Sequence, residues 1–180
     1  MKRAGRIVAY VFMCSIMCLF LGSYLGVQDK QQESIFDSPD KLVQELYKSV
    51  SFSGGMTPDW EKVKNMFIKE AVVVLRSSRT GFSVFTREGF VDDFVTFIRN
   101  YKIENIGFTE KVVKMKTTIV GETAYCLVLY EASIPGRNTP APQQGVDNFH
   151  LLKRDGQWKI TAIMNEVAWE GVIIPEELRE

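Results

Sequence analysis

The sequence contains few of the side chains that build metal centres and disulfides. Its 180 residues include one histidine, His150, and three cysteines. A lone histidine excludes a metal cluster of several histidines, and no carboxylate group has the spacing of a metal site. Because Cys14 and Cys18 lie in an N-terminal apolar run, only Cys126 remains in the body, which excludes a disulfide there. Cys126 lies in an apolar strand-like segment and is interpreted as a buried core residue. From these side chains together, we predict no metal site.

The sequence also lacks a charge excess and the short motifs of nucleotide chemistry. Lysine and arginine number 22, as do aspartate and glutamate, and no basic block occurs. Nothing in this charge pattern favours binding to nucleic acid. The sequence has neither a glycine-rich phosphate loop nor a nucleophile elbow, and we predict no cofactor. Hydrophobic residues make up 46% of the chain, which is enough for a folded core and argues against disorder.

The first 27 residues differ in character from the rest. Lys2, Arg3 and Arg6 precede an apolar run over residues 7–27, and no acidic residue occurs in this part. This is the pattern of a secretory signal or an N-terminal anchor. The run is about as long as a membrane span needs, and its end lacks the small-residue pattern of a cleavage site. We therefore expect residues 1–27 to be a signal peptide or a membrane anchor, and the protein to be exported (periplasmic or extracellular) or anchored.

The remainder is predicted to be a short linker and one domain. Residues 28–37 are polar and read as the linker, and the domain covers residues 38–180. Two segments, Ser38–Asp40 and Thr57–Asp59, combine an N-cap residue, a proline at the first helical position and an early acid. Thr86 is expected to cap a third helix, because the apolar residues after it follow helical spacing. The domain is thus expected to begin with three helices.

Strand-like segments dominate the second half of the sequence. Val72–Val74 lie in a short β-branched run at 71–75, and longer strands are predicted at about 106–118, 122–134, 145–153 and 157–168. The Asp155-Gly156 dipeptide is a strong hairpin signal between the last two strands. Helices followed by consecutive strands indicate an α+β fold. We expect three N-terminal helices packed on a curved antiparallel sheet that forms a cone-shaped barrel, preceded by the N-terminal apolar segment.

The last predicted strand has apolar residues at both parities. In a regular strand, one side would carry Trp158, Ile160, Ala162 and Met164, and the other Ile163 and Val167. The helices can cover only one face of the sheet. We therefore expect a homodimer in which a second subunit covers the outer face.

Two segments resemble a known superfamily. Residues Asp147–Ile160 run from an apolar strand through Asp-Gly into a Trp-x-Ile strand, and Gly121–Tyr125 form a turn with a small strand residue after it. Over residues 38–168 the sequence resembles the nuclear transport factor 2-like (SnoaL-like) superfamily, whose domains are cystatin-like α+β cones. That superfamily includes isomerases, dehydratases, polyketide cyclases, assembly domains and transport factors, so the resemblance implies the fold and no single reaction.

The resemblance directs attention to polar residues near the cone. Enzymes of the superfamily use Asp, His or Tyr as acid or base in an apolar pocket, which makes His150 a candidate base. The alternative for His150 is the outer sheet face or the subunit contact. The resemblance also implies that Asn165, seven residues after Trp158, lines the cone. A β-bulge would put Glu166 there instead, and the alternative for both is a solvated strand end.

Aromatic residues supply candidate walls for the same pocket. Trp60 and Phe67 are separated by seven residues in the predicted second helix, so they are expected to face the same way. They would wall the pocket or belong to the core. Tyr130 and Arg76 are further polar candidates, which we expect at the surface.

Two functions remain open from the sequence. The first is an extracytoplasmic small-molecule-binding domain for a small apolar ligand, with or without weak isomerase- or dehydratase-like activity. The second is a non-catalytic interaction or assembly module, dimeric through the outer sheet face. In either case the membrane is an expected partner only through residues 7–27. Polar groups that converge inside the cone favour the first function. An interior without a cavity, filled by Trp60, Phe67, Phe90 and Phe94, favours the second.

Overall fold

The structure, a computed structural model, describes residues 34–137 and 142–179. The predicted signal or anchor, 1–27, and most of the predicted linker lie outside the described residues. Within the described part, no helix is long and apolar enough to cross a membrane. The described domain begins at Ser34, whose side chain caps a 3₁₀ helix at Ile35–Asp37, and Ile35 and Phe36 pack against the core. Four residues assigned to the linker are therefore part of the folded unit.

The described residues form three α-helices on one seven-stranded sheet. The helices are α1 (Pro39–Val50), α2 (Trp60–Asn65) and α3 (Arg87–Tyr101). The strands are β1 (Phe52–Ser53), β2 (Phe67–Arg76), β3 (Phe82–Thr86), β4 (Gly107–Val120), β5 (Thr123–Ser133), β6 (Gln143–Arg154) and β7 (Gln157–Val167). Their order in the sheet is β1-β4-β5-β6-β7-β2-β3. The architecture is α+β, as predicted.

The sheet differs from the expected closed antiparallel cone in two respects. It is curved but unclosed, because β1 and β3 end the strand order without pairing to each other. It is also mixed, because β2 pairs with β7 in parallel, whereas the other neighbouring strands are antiparallel. β2 lies beside β7, the last strand of the chain, and the connection between these two parallel strands consists of β3, α3 and β4–β6.

Local signals in the sequence placed most helix starts correctly. The Ser38 side chain accepts a hydrogen bond from the Lys41 amide at 3.1 Å, with Pro39 at the first helical position. Thr86 caps α3 in the same way by accepting from the Gly89 amide. In α2 the cap is Asp59 rather than Thr57, since its carboxylate accepts from the Lys62 amide at 3.0 Å. Aspartate caps helices at least as well as threonine, so the helix starts two residues later.

The predicted second helix was too long. It ends at Asn65, and Phe67 is the first residue of β2, paired with Ile160 of β7. Trp60 and Phe67 therefore do not share a helix face, and that prediction is wrong. The apolar spacing fits a helix, but the β-branched run at 71–75 extends back to Phe67 once β7 provides a partner. The short strand β3, which forms a hairpin with β2, was not predicted.

The four long strands of the second half agree with the predicted boundaries to within two residues. Asp155 and Gly156 have φ of 52° and 78°, which the tight turn between β6 and β7 requires. The inner face of these strands packs on the helices around fully buried residues such as Leu42, Phe149 and Ile160. Cys126 is fully buried in this core, as predicted.

A β-bulge changes which side chains of β7 face inward. Leu151 pairs with Ile160 and His150 pairs with Ala162, so Thr161 is the extra residue. The core-facing residues of β7 are consequently Trp158 and Ile160 before the bulge and Ile163 after it. Ala162 and Met164 fall on the outer face, and the prediction that they share a side with Trp158 is wrong. Apolar residues occur at both odd and even positions of β7 because the bulge shifts the inward-facing positions by one residue. The pattern does not indicate that both faces of the strand are buried.

Part of the outer face is covered by the chain itself. After β7 the chain continues to a 3₁₀ helix at Glu176–Leu178, and Leu178 is 1% exposed. Leu178 packs with Leu127 and Leu129 of β5 and Val146 of β6, on the sheet face opposite the helices. An intramolecular segment thus covers a surface that we had assigned to a second subunit.

Candidate functional site

An interior cavity of about 250 Å³ lies between helices α1 and α3 and the sheet. An apolar cavity of about 150 Å³ is large enough for benzene, so this one can hold a single ring with a substituent. Its apolar walls are Leu46, Val50, Val73, Leu75, Phe90, Phe94, Phe149, Ile163 and Val167. Its polar side chains are Tyr47, Glu110, Tyr130, Asp147 and Asn165, with Arg76 at the edge.

The polar side chains reach the cavity from five different elements. Tyr47 comes from α1, and the others come one each from the adjacent strands β4 to β7. Asp147 and Asn165 are directly paired between β6 and β7, and Tyr130 of β5 is paired with Gly145, two residues from Asp147. Directly paired residues of antiparallel strands project from the same face. The sheet register therefore gathers these groups into one cluster.

Asp147 is the centre of a hydrogen-bonded network. The Tyr47 hydroxyl donates to Asp147 Oδ2 at 2.5 Å, and Asn165 Nδ2 donates to Asp147 Oδ1 at 2.7 Å. Asn165 Nδ2 also donates to the Tyr130 hydroxyl at 2.9 Å, and the Arg76 amide donates to Asn165 Oδ1 at 3.4 Å. Each oxygen of the Asp147 carboxyl thus has a donor, and both ends of the Asn165 amide are used.

The network partly offsets the cost of burying Asp147, which is 8% exposed. Burial raises the pKa of Asp147 to about 6, and the hydrogen bonds from Tyr47 and Asn165 act in the opposite direction. Burial and the Asp147 charge together raise the pKa of the Tyr47 and Tyr130 hydroxyls, which stay protonated. Asp147 is therefore ionised at neutral pH and both tyrosines are neutral.

Glu110 is the second carboxyl of the cavity. Its backbone is held by Ser51, whose hydroxyl accepts from the Glu110 amide at 2.8 Å and donates to its carbonyl at 2.9 Å. The side chain is half-buried and lines both the cavity and the surface clefts beside it, and among the described residues no donor binds its carboxyl. Burial, and secondly the Asp147 charge, raise the pKa of Glu110 to about 8. Glu110 is thus predominantly protonated at neutral pH.

Arg76 and Glu166 form an ion pair beside the cavity. The Arg76 guanidinium binds both Glu166 oxygens, with Nε to Oε1 at 2.9 Å, and stacks 3.6 Å above the Phe82 ring. This pairing raises the pKa of Arg76 and lowers that of Glu166. The bulge at Thr161 directs Asn165, not Glu166, into the cavity, which is the reverse of the expected effect of a bulge.

The predicted site residues separate into two groups. Asn165 lies in the cavity, whereas His150 is exposed on the outer face, 5.4 Å from the Tyr125 ring. Trp60 and Phe67 do not line the cavity; they pack behind its wall against Phe94 and Phe90, respectively. Their role is in the core, one of the two alternatives that the sequence left open.

Two residues expected at the surface are placed differently. Tyr130 is 5% exposed and lines the cavity, so its surface prediction is wrong. The side chain of Arg76 is 15% exposed, because Glu166 and Phe82 cover it.

The sequence reasoning missed Tyr47, Glu110 and Asp147. Tyr47 was assigned to the apolar face of the first helix, and nothing marks its hydroxyl as functional. A signal for Asp147 did exist: it is a lone acid two residues from Phe149 in an apolar strand, and therefore at the inward parity. Glu110 follows the same logic in β4, two residues before the core-packed Val112.

A larger cleft adjoins the cavity. It measures about 710 Å³ and shares Glu110 and Tyr130 with the cavity. Its other lining residues include Tyr101 at the end of α3 and the exposed Arg137 and Gln143. Glu110 and Tyr130 thus stand between the surface cleft and the interior. Within residues 34–137 and 142–179, no three histidine, cysteine or acidic side chains come together as a metal site would need.

Comparison with known proteins identifies the fold and leaves the function open. No protein-family model matches the sequence, and no curated protein has a significantly similar one. Among solved structures, an NTF2-like protein of unknown function from Pseudomonas putida has a TM-score of 0.55 at 9% identity, covering 71% of this chain and 82% of its own. A cystatin-like protein of unknown function from Nostoc punctiforme has a TM-score of 0.54 at 12% identity, covering 71% and 86%.

An uncharacterised cystatin-like protein from Caulobacter vibrioides gives the same result, with a TM-score of 0.54 at 15% identity over 72% of this chain and 87% of its own. These identities are too low to transfer a function. The three structures agree with the observed arrangement of helices on one curved sheet. The described domain has the nuclear transport factor 2-like, cystatin-like fold.

Proposed function

We propose that this domain binds a small, mostly apolar molecule with one polar group inside the cavity. One observation carries the proposal: five polar side chains converge in a cavity whose other walls, apart from Arg76 at the edge, are aliphatic and aromatic. This division is typical of ligand pockets, in which apolar walls supply affinity and a few polar groups fix orientation. Phe90 and Phe94 form walls and do not fill the interior, which supports binding over a solid core.

Acid–base chemistry on the bound molecule is the finer form of this proposal. The pKa of Asp147 is about 6 and that of Glu110 about 8, so near neutral pH one carboxyl is ionised and the other is protonated. Two carboxyls in opposite states can accept a proton at one position and donate one at another. This arrangement supports a weak isomerase- or dehydratase-like activity. The extracytoplasmic location that we propose rests on residues 1–27, outside the described residues.

Thermal unfolding of the purified full-length chain with a set of single-ring compounds tests the binding proposal. A ligand at about one hundred times its dissociation constant should raise the melting temperature by roughly 5–10 °C. Asn165→Leu should remove this stabilisation, because the leucine cannot hold Asp147 or orient a polar ligand group. Asn148→Leu is a matched control, since Asn148 lies on the outer face of the neighbouring strand. The proposal fails if no compound stabilises the parent and Asn165→Leu is more stable than the parent.

A second candidate function, assembly through the outer sheet face, is favoured by a separate observation. Val72, Phe82, Val84 and Met164 are each 44–68% exposed on the adjacent strands β2, β3 and β7. We call these four residues the outer patch. Contiguous exposed apolar surface is unusual in monomers and is typical of interfaces. A second copy of this chain is the proposed partner, and dimerisation is compatible with a ligand in the cavity.

A further inference from the structure

Among the described residues, no unpaired basic side chain lines the acidic end of the cavity. Of the residues that line the cavity in the described part of the chain, Arg76 is the one with a basic side chain, and both hydrogen bonds of its guanidinium go to Glu166. On the strand next to the cavity, Lys111 is bound to Glu131 at 3.0 Å. Within the cavity, no unpaired basic side chain of the described residues therefore faces Asp147 and Glu110, and the lysines near Glu110 (Lys48, Lys111 and Lys114) line the surface cleft on its other side.

The walls beside these carboxyls are aromatic. Tyr47 lies 6.1 Å from Tyr130 and 6.0 Å from Phe149, measured between ring centroids. Phe90 and Phe94 lie edge to face at 6.1 Å on the helix side. Aromatic faces attract organic cations, and the attraction is larger where water is excluded. A site that combines carboxylates with aromatic rings therefore offsets much of the free-energy cost of removing a protonated amine from water.

A neutral polar group would use this site less completely. A carbonyl oxygen could accept a hydrogen bond from Glu110 or Tyr130. It would not interact favourably with the Asp147 carboxylate, because each oxygen of that carboxylate already accepts a hydrogen bond and its charge repels the carbonyl oxygen. A cation interacts favourably with both carboxyls at once, because Coulomb attraction in an enclosed site does not require direct contact with each partner. The geometry therefore distinguishes the two ligand classes.

We propose that the cavity is selective for a small molecule that joins a protonated amine to one ring or a short apolar body. The ammonium group lies against the Glu110 carboxylate, on the side towards Asp147, and the apolar body packs against Phe90, Phe94 and Phe149. This inference rests on the proposed function, since it names the ligand class of the same site. The volume of about 250 Å³ fits a benzyl-sized body.

Binding of an amine has a consequence for protons. Glu110 must ionise to pair with the ammonium group, and its proton leaves to the solvent while the amine keeps its own. Inside the cavity the other titratable groups that face Glu110 are Asp147 from β6, Tyr47 from α1 and Tyr130 from β5. In the two surface clefts that Glu110 also lines, the charged or titratable residues are Tyr101, Glu131 and Arg137 on one side and Asp40, Lys48, Lys111 and Lys114 on the other. Asp147 is already ionised and the tyrosines stay neutral, so about one proton is released per ligand at neutral pH.

Isothermal titration of the full-length chain with benzylamine and with benzyl alcohol tests the inference. The two probes have nearly the same shape and differ in charge. Benzylamine is expected to bind at least about tenfold more tightly, and titrations in buffers of different ionisation enthalpy should show the proton release. Glu110→Gln should abolish most of the preference for benzylamine and the proton release. Glu122→Gln, in the exposed turn before β5, is the matched control and should leave both unchanged.

The outcomes separate this inference from the proposed function. If benzyl alcohol binds as tightly as benzylamine without proton release, the amine inference is wrong and ligand binding stands. If neither compound binds, the amine inference is wrong, and the wider set of single-ring compounds decides the binding proposal by itself. The comparison of the two probes on the parent decides the question even if Glu110→Gln does not fold.

Discussion

At the scale of single residues, Glu110 and Asp147 set an unusual pH dependence. The pKa of Glu110 is raised in the folded state from 4.5 to about 8, so the folded chain binds more protons than the unfolded chain between these values. The free energy of unfolding must therefore fall as pH rises through this window and stay low above it. Asp147 has the same sign between 3.8 and about 6. A buried acid that pairs with a basic group has a lowered pKa, and the free energy of unfolding then rises with pH.

Glu110→Gln should remove the larger part of this dependence. Below about pH 4.5 the variant and the parent should be equally stable, because the glutamate is protonated in both states. Above pH 8 the variant should be more stable by roughly 2 kcal/mol, a figure that allows for screening by water in the cavity. Urea unfolding at a series of pH values measures the difference, with Glu122→Gln as the control. Parallel pH profiles for the parent and Glu110→Gln would contradict the prediction.

At the scale of elements, features coded by neighbouring residues were predictable. Ser38 and Thr86 each cap a helix by binding the backbone amide three residues later, and Asp155-Gly156 forms a turn within the dipeptide itself. Features that depend on a distant strand were not. Whether Phe67 ends a helix or begins a strand depends on Ile160, and the bulge at Thr161 is visible only once β6 is in register.

The same distinction explains the candidate site. Asn165 was predicted through resemblance, but its inward direction depends on a bulge, and a bulge was predicted to exchange Asn165 for Glu166. Glu110, Tyr130 and Asp147 come together because three strands align in one register, and no local pattern in the sequence contains that information. His150 drew attention as the single histidine, although chemical type alone gives no direction to a side chain in a strand.

The pairing of Tyr130 with Gly145 across β5 and β6 leads to a prediction at the element scale. A Cβ atom at position 145 would overlap the Tyr130 ring, with Cε1 only 2.6 Å away. Because that ring is buried, Gly145→Ala should displace its hydroxyl from Asn165 and cost roughly 1–3 kcal/mol of stability. Urea unfolding of the parent and the variant measures the cost.

A double-mutant cycle isolates this contact. In a Tyr130→Ala background the ring is gone, so adding Gly145→Ala should cost less than about 0.5 kcal/mol. An equal cost in both backgrounds would show that the alanine acts on the strand itself and that the glycine does not serve to position Tyr130.

At the scale of the whole molecule, the sheet is open and its outer face is divided. The C-terminal segment seals Leu127, Leu129 and Val146 with Leu178, whereas the outer patch on β2, β3 and β7 has no cover among the described residues. The parity of β7 does not support a dimer, because the bulge accounts for that pattern. The exposed patch supports the same proposal on different grounds.

If the outer patch joins two copies of the chain, a charge at its centre should separate them. Val84 is 68% exposed, so Val84→Lys has room for the lysine in a monomer, but in a dimer it would bury two unpaired charges. Sedimentation of the full-length chain at micromolar concentration should show a dimer for the parent and a monomer for the variant, with unchanged circular dichroism. Ile119→Lys is the matched control, since Ile119 is 54% exposed at the far end of β4, and it should remain dimeric. A monomeric parent would contradict the homodimer proposal, and a dimer that survives Val84→Lys would place the contact outside the patch.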